Sequence, residues 1–157
     1  GSGIILQNRL YAGQNCAAGE LGAIPYQNAF FDDFCSGKFF KDHYGLTGDK
    51  VATKAMAGDA LSRQAFADFG EHLAQAISHL LLILDPQHIV LGGSVSKSFS
   101  LFEQSLWNSL KKFPYQSALS NLTIECSDNE NSALLGAAYL CQQWLFQSEE
   151  KKHEAFQ

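Results

Sequence analysis

Apolar residues recur at three- and four-residue steps along most of this chain, and helices dominate its first reading. Phe30, Phe34, Phe39, Phe40 and Tyr44 predict an amphipathic helix interrupted near Ser36-Gly37 and ended by Gly45-Leu46-Thr47-Gly48. A short helix over 50–57 follows, and Asp59 after Gly58 is placed to cap the next one, its carboxylate accepting from free backbone N–H groups. That long helix carries Phe66, Phe69, Leu73, Ile77, Leu80, Leu81 and Leu84 on one face, the spacing of a helix laid against a sheet. Gly70 inside it costs about 1 kcal/mol relative to alanine. Asp85-Pro86 ends it. Two more helices are predicted over 97–112 and 131–146, the last carrying Gly136-Ala137-Ala138, small enough for close packing.

Between the helices the period changes. Residues 4–11 read as two short strands around Gln7-Asn8, a hairpin, and 12–28 hold too many glycines to be anything but loop. His88-Ile89-Val90-Leu91 reads as a buried strand running into the turn Gly92-Gly93-Ser94, and residues 122–126 alternate like another strand. Strands alternating with helices predict an α/β fold with a parallel element, a mixed sheet packed by helices. One domain over 1–147 and a charged, disordered tail over 148–157 complete the reading.

Composition narrows the function. The chain has 157 residues, 46% hydrophobic and 17% charged, which fits one globular domain and excludes a fibre or a polyelectrolyte. Sixteen acidic against 11 basic residues leave a net charge of -5, so direct contact with nucleic acid is not expected. The longest apolar run, Leu80 to Leu84, is far short of the roughly 20 residues of a membrane helix, and a cytoplasmic, membrane-free protein is expected. Cys16, Cys35, Cys126 and Cys141 lack zinc-type spacing and read as reduced, buried thiols. The only methionine is Met56 and the chain opens Gly1-Ser2-Gly3, so an upstream segment is expected unless these residues are a tag scar.

Three places could carry chemistry. The strand-to-helix turn at Gly92, Gly93 and Ser94 lets backbone N–H groups approach a nucleotide, although any such turn would use the same glycines. Glu20, between Gly19 and Gly22, is a carboxylate in an otherwise uncharged loop, suited to accept from sugar hydroxyls or simply to face water. Asp32-Asp33 at a helix start could bind hydroxyls, act as a general base or ligate Mg²⁺, or serve only the helix dipole. The five histidines form no metal or protease pattern and read as surface or partly packed.

In order and separation these pieces resemble the C-terminal half of the ROK family of sugar kinases and sugar-responsive repressors. Gly1-Ser2-Gly3-Ile4 through Gly13 is similar to the family's glycine-rich hairpin, and Gly13 to Gly22 to its G-x-x-G-x-A-G-E-x-G-H signature. Gly58-Asp59-Ala60, Asp85 through Gly93, and Leu135-Gly136-Ala137-Ala138 match its later motifs. Two features depart: Ala23 stands where the family has histidine, and Pro25 to Phe31 replaces the cysteine-rich zinc segment, so no zinc is expected.

The resemblance implies a ribonuclease H-like, actin-like C-terminal lobe. It implies ATP-dependent phosphorylation of a hexose such as glucose or fructose with Mg²⁺, Glu20 and Asp32 on the sugar, and Gly92, Gly93 and Ser94 on the nucleotide. The catalytic aspartate and first phosphate loop would lie upstream, in the missing N-terminal lobe, leaving no catalytic residue in this chain. A homodimer is also implied. The alternatives are the sugar-sensing domain of a repressor, and an assembly module that binds neither ligand.

Overall fold

The structure, a computed structural model, describes residues 1–129 and 131–142. Its chain order is β1 (Ile5–Leu6), β2 (Arg9–Leu10), β3 (Pro25–Tyr26), β4 (Ala29–Phe30), α1 (Phe31–Phe34), α2 (Lys38–Tyr44), α3 (Gly48–Met56), α4 (Ala60–Leu84), β5 (His88–Leu91), α5 (Phe99–Leu110), α6 (Gln116–Ser120) and β6 (Thr123–Cys126). Residues 132–142 are also helical. Short 3₁₀ turns at Leu21–Ala23 and Val95–Ser98 lead into β3 and α5.

Local chemistry accounts for the boundaries. Gln7 and Asn8 both take positive φ, 51° and 61°, the left-handed pair that closes a two-residue hairpin between β1 and β2. Asp59 caps α4 by accepting from the Ser62 N–H at 2.8 Å, and Asp85 ends it in the left-handed region at φ 44°. Gly45 ends α2 in the same way at φ 69°. The predicted break at Ser36-Gly37 separates α1 from α2.

The core is a helical layer rich in phenylalanine. Phe34, Phe39, Phe40, Phe66, Phe69 and Phe102 join α1, α2, α4 and α5 in one cluster, and Ile77, Leu81, Leu106, Leu110 and Phe113 continue it toward the far end of α4. Burying such a side chain is worth roughly 1.5–3 kcal/mol. The long helix was expected to lie on a sheet. Its principal partner is α5, and the β5–β6 sheet reaches the core through Ile89, Leu91 and Ile124.

Gly70 sits where α4 and α5 cross. A Cβ built there would stand 2.1 Å from Ser105 Oγ, 2.7 Å from the Phe102 carbonyl oxygen and 3.1 Å from the Leu106 nitrogen. Two of those three atoms are backbone and cannot swing aside, so the crossing is as close as it is because the residue has no side chain.

Strands are few and short. Each pairs with one neighbour: β1 with β2 and β3 with β4 antiparallel, β5 with β6 parallel in the register Ile89↔Ile124 and Leu91↔Cys126. The parallel element is as expected, but β5 is not a buried strand. One face is covered by the helices while Val90 on the other is 54% exposed. The β3–β4 hairpin and α6 were not predicted.

Other expectations fail on burial. Cys35 and Cys126 are partly buried, but Cys16 and Cys141 are exposed. The predicted final helix is present over 132–142, yet every described position on it is exposed and a Cβ on Gly136 would touch nothing within 4 Å. The close packing expected at Gly136 is therefore not seen among the described residues. Residues 143–157, including the predicted tail, lie outside the described residues.

Gly70→Ala, favoured by helix propensity, is expected to lower stability by about 1–3 kcal/mol because Ser105 Oγ can turn away from the new methyl but the Phe102 carbonyl cannot. Urea denaturation checks this; a variant as stable as the parent chain, or more so, would refute the crossing.

Candidate functional site

The loop that carries Glu20 is fixed by a backbone contact at its base. The Ser2 N–H and the Ser2 hydroxyl both donate to the Gly19 carbonyl at 2.7 Å. Gly19 has φ 96°, and a Cβ there would fall 1.9 Å from the Ser2 carbonyl oxygen, so only glycine allows the two segments to meet. Glu20 follows at the start of the Leu21–Ala23 turn, with its carboxylate exposed beside Gly1.

Asp32 lies on the other side of that turn. It is exposed in the first turn of α1, and its Oδ1 would be 3.5 Å from a Cβ on Gly22. The structure thus brings Glu20 and Asp32, twelve positions apart, to the two flanks of one three-residue turn. Neither carboxylate has a hydrogen-bond partner among the described residues. Asp33 is different: it accepts from the Phe30 N–H at 3.0 Å and pairs with Lys38, and the Lys38 bond, then the Phe30 bond, hold its carboxyl below the usual carboxylate range. It caps α1.

Four residues make a helix too short to stand alone, so α1 is held by aromatic contacts. Phe31 and Phe34 are both buried against Tyr26 of β3, the Phe31 ring stacked at 4.4 Å and the Phe34 ring edge-on at 5.2 Å. Tyr26 is in turn tied to α4 by its hydroxyl and His72 Nδ1 at 3.1 Å. Sequence reading missed this clamp because the two residues lie 46 positions apart and neither belongs to a motif. The thiol of Cys35, behind Asp32, is pushed up to about 12 by burial and by the charge of Asp32.

The second face is the turn after β5. Gly92, Gly93 and Ser94 are exposed, Gly93 has φ 85°, and a Cβ at either glycine would meet nothing within 4 Å. Ligand atoms can therefore approach the backbone directly. Ser96 closes the turn by donating to the Gly93 carbonyl at 2.7 Å, and the Cys126 thiol donates to the Ser96 carbonyl. The two faces share the phenylalanine core and adjoin where Gly37, between α1 and α2, approaches Val95 Cγ2 to within 3.8 Å of a built Cβ.

The chain as a whole is similar to known proteins. A family model described as the ROK family matches residues 1–144. The N-acetyl-D-glucosamine kinase of Pasteurella multocida (strain Pm70) is 28% identical over 167 residues, covering 89% of this chain and 55% of that protein. The xylose repressor of Caldicellulosiruptor bescii is 24% identical, covering 86% of this chain and 41% of that protein. Among solved structures, a ROK family glucokinase from Streptomyces griseus, in complex with glucose and AMPPNP, superposes with a TM-score of 0.73 at 19% identity, over 90% of this chain and 56% of that one. This chain spans about half the length of the curated relatives it matches. The mixed α/β fold, helix-rich with small sheets, is that of the ROK sugar kinase structures, the actin-like fold expected from the sequence.

The clamp sets a pH response. Burial pushes the His72 imidazole below its ordinary value of 6.5, and His43 adds to this, while Asp68 and Glu71 pull the other way. A depressed folded value means the unfolded chain takes up the proton first, so the contribution of neutral His72 is complete above 6.5 and is lost as pH falls through the folded value. Between about pH 7.5 and about pH 5 the parent chain should lose more stability than His72→Gln, read from denaturation midpoints; equal losses would refute it.

Proposed function

Because the chain belongs to the ROK family, we propose that it is the C-terminal half of an ATP-dependent hexose kinase. The observation that carries this reading is the pair of unpartnered carboxylates, Glu20 and Asp32, flanking one turn on the core that also supports the open Gly92-Gly93-Ser94 turn. Carboxylates are acceptors only, so the pair suits vicinal hydroxyls and repels phosphate. The diglycine turn, free of side chains, suits a nucleotide meeting exposed N–H groups. Separating the two keeps sugar and nucleotide on distinct walls.

ATP is then a substrate, and Mg²⁺ would neutralise charge on its phosphates. Among the described residues no three His, Cys, Asp or Glu side chains form a metal-holding group. The chain's own work is positioning. Glu20 and Asp32 orient the sugar by accepting from its hydroxyls, and Gly92, Gly93 and Ser94 seat the nucleotide. The residue that takes the proton from the attacking hydroxyl lies outside this chain.

A second reading is supported by the likeness to the xylose repressor and to the DNA-binding transcriptional repressor Mlc of Escherichia coli (strain K12). In it the same carboxylates hold a sugar without turnover. The sequence of the other half separates the two.

Two outcomes test the kinase reading. These 157 residues alone should transfer no phosphate from ATP to glucose or fructose; turnover in a preparation free of contaminating kinase would sink it. In the whole protein, Glu20→Gln or Asp32→Asn should weaken sugar binding by about 10–100-fold, the worth of a hydrogen bond to a charged acceptor, with calorimetry as the measurement. Unchanged affinity in both variants would remove these residues from the sugar site.

A further inference from the structure

No hydrogen bond among the described residues places the Asp32 carboxylate, whereas its neighbour Asp33 is tied to the Phe30 N–H and to Lys38. Asp32 goes where the backbone of α1 puts it, and that backbone is anchored by the buried rings before and after it, Phe31 and Phe34. One ring meets both. Tyr26 stacks on Phe31 with centroids 4.4 Å apart and planes 18° from parallel, and meets Phe34 edge-on at 5.2 Å. The β3–β4 hairpin delivers it there: Tyr26 stands opposite Ala29, Gln27 takes the left-handed φ of 52°, and the returning strand lets the Phe31 N–H donate to the Ile24 carbonyl at 3.1 Å. The same Tyr26 ring is fixed to α4, edge-on to His72 at 5.7 Å with its hydroxyl 3.1 Å from Nδ1. His79, about two turns further along that helix, meets Phe31 at 5.2 Å.

We propose that Tyr26 is a positioning residue of the sugar site, setting sugar affinity through Asp32 by holding Phe31 and Phe34 against α4. The inference rests on the reading of Asp32 as a hydroxyl acceptor, and adds to that site a residue that no motif marks. A hydrogen bond weakens steeply once its acceptor leaves the narrow range of good distance and angle, so a binding group keeps its strength only when held to within about 0.5 Å by neighbours that are themselves locked by packing. A single helical turn cannot hold itself to that tolerance. Aromatic pairs can, because they prefer offset-stacked or edge-on geometry, and Tyr26 makes one contact of each kind, one on either side of Asp32. An aliphatic side chain in its place would fill the space without fixing the angle.

The test is a double-mutant cycle in the whole protein, with glucose and fructose titrated by calorimetry and far-UV circular dichroism establishing that each variant is folded. Tyr26→Leu, which keeps an apolar side chain but neither ring contact, should weaken binding by about 5–50-fold, and Tyr26→Phe, which keeps both, should recover affinity to within about threefold of the parent. Because Tyr26 acts through Asp32, Tyr26→Leu/Asp32→Asn should bind no more than about twofold more weakly than Asp32→Asn alone, whereas a general loosening of the fold would multiply the two losses. If Tyr26→Leu does not fold, Phe31→Leu, which removes the stacked partner, takes its place in the cycle with the same expectation. A loss from Asp32→Asn with none from Tyr26→Leu, losses that multiply, or a Tyr26→Phe no better than Tyr26→Leu would overturn the positioning role and leave the sugar reading standing. No loss from Asp32→Asn, or a parent that binds neither sugar, would overturn both.

Discussion

The close crossing of α4 over α5 is the constraint from which the rest of this structure follows. With no side chain at Gly70, the backbone of α4 rests almost directly on Phe102, Ser105 and Leu106. That approach lets Phe66 and Phe69 reach Phe102, with ring centroids at 6.4 and 5.1 Å, and lets Ile77 and Leu81 share a cluster with Leu106 and Leu110. Both candidate faces hang from this pair of helices. Phe34 of α1 packs in the phenylalanine cluster beside Asp32, and α5 begins where the Gly92-Gly93-Ser94 turn and its 3₁₀ extension end.

The sugar-side carboxylates depend on that frame through short, weak elements. The four residues of α1 and the Leu21–Ala23 turn have little stability of their own, and they are held by contacts at either end: the two hydrogen bonds that Ser2 donates to the Gly19 carbonyl, and the Tyr26–His72 clamp onto α4. Holding Glu20 and Asp32 from behind leaves both carboxylates exposed and unpartnered, as groups that bind hydroxyls need to be. The turn after β5 is ordered differently, by Ser96 and Cys126 beneath it, so its upper side stays open backbone.

Much of this was legible in the sequence, because it was written in local chemistry. The breaks at Ser36-Gly37 and Gly45, the cap at Asp59, the hairpin at Gln7-Asn8 and the turn at Gly92-Gly93 each follow from residues within a few positions of one another. What was not legible depends on distant contacts. Gly70 reads as a small propensity cost until Ser105 is seen beside it, and Tyr26 and His72 carry no signal until the fold joins them. The small residues at Gly136-Ala137-Ala138 suggest packing, but periodicity does not say what they pack against, and no described residue meets Gly136. The β5 strand looked buried because four apolar-leaning residues in a row say nothing about how many strands flank them.

In the kinase reading the open turn after β5 meets a nucleotide while the carboxylate turn does not. Amide chemical-shift mapping of this chain with AMPPNP measures that directly. Saturable shifts at Gly92, Gly93 and Ser94, with Glu20 and Asp32 unmoved, are the predicted result. Shifts centred on Glu20 and Asp32, or none at the diglycine turn at millimolar nucleotide, would contradict it.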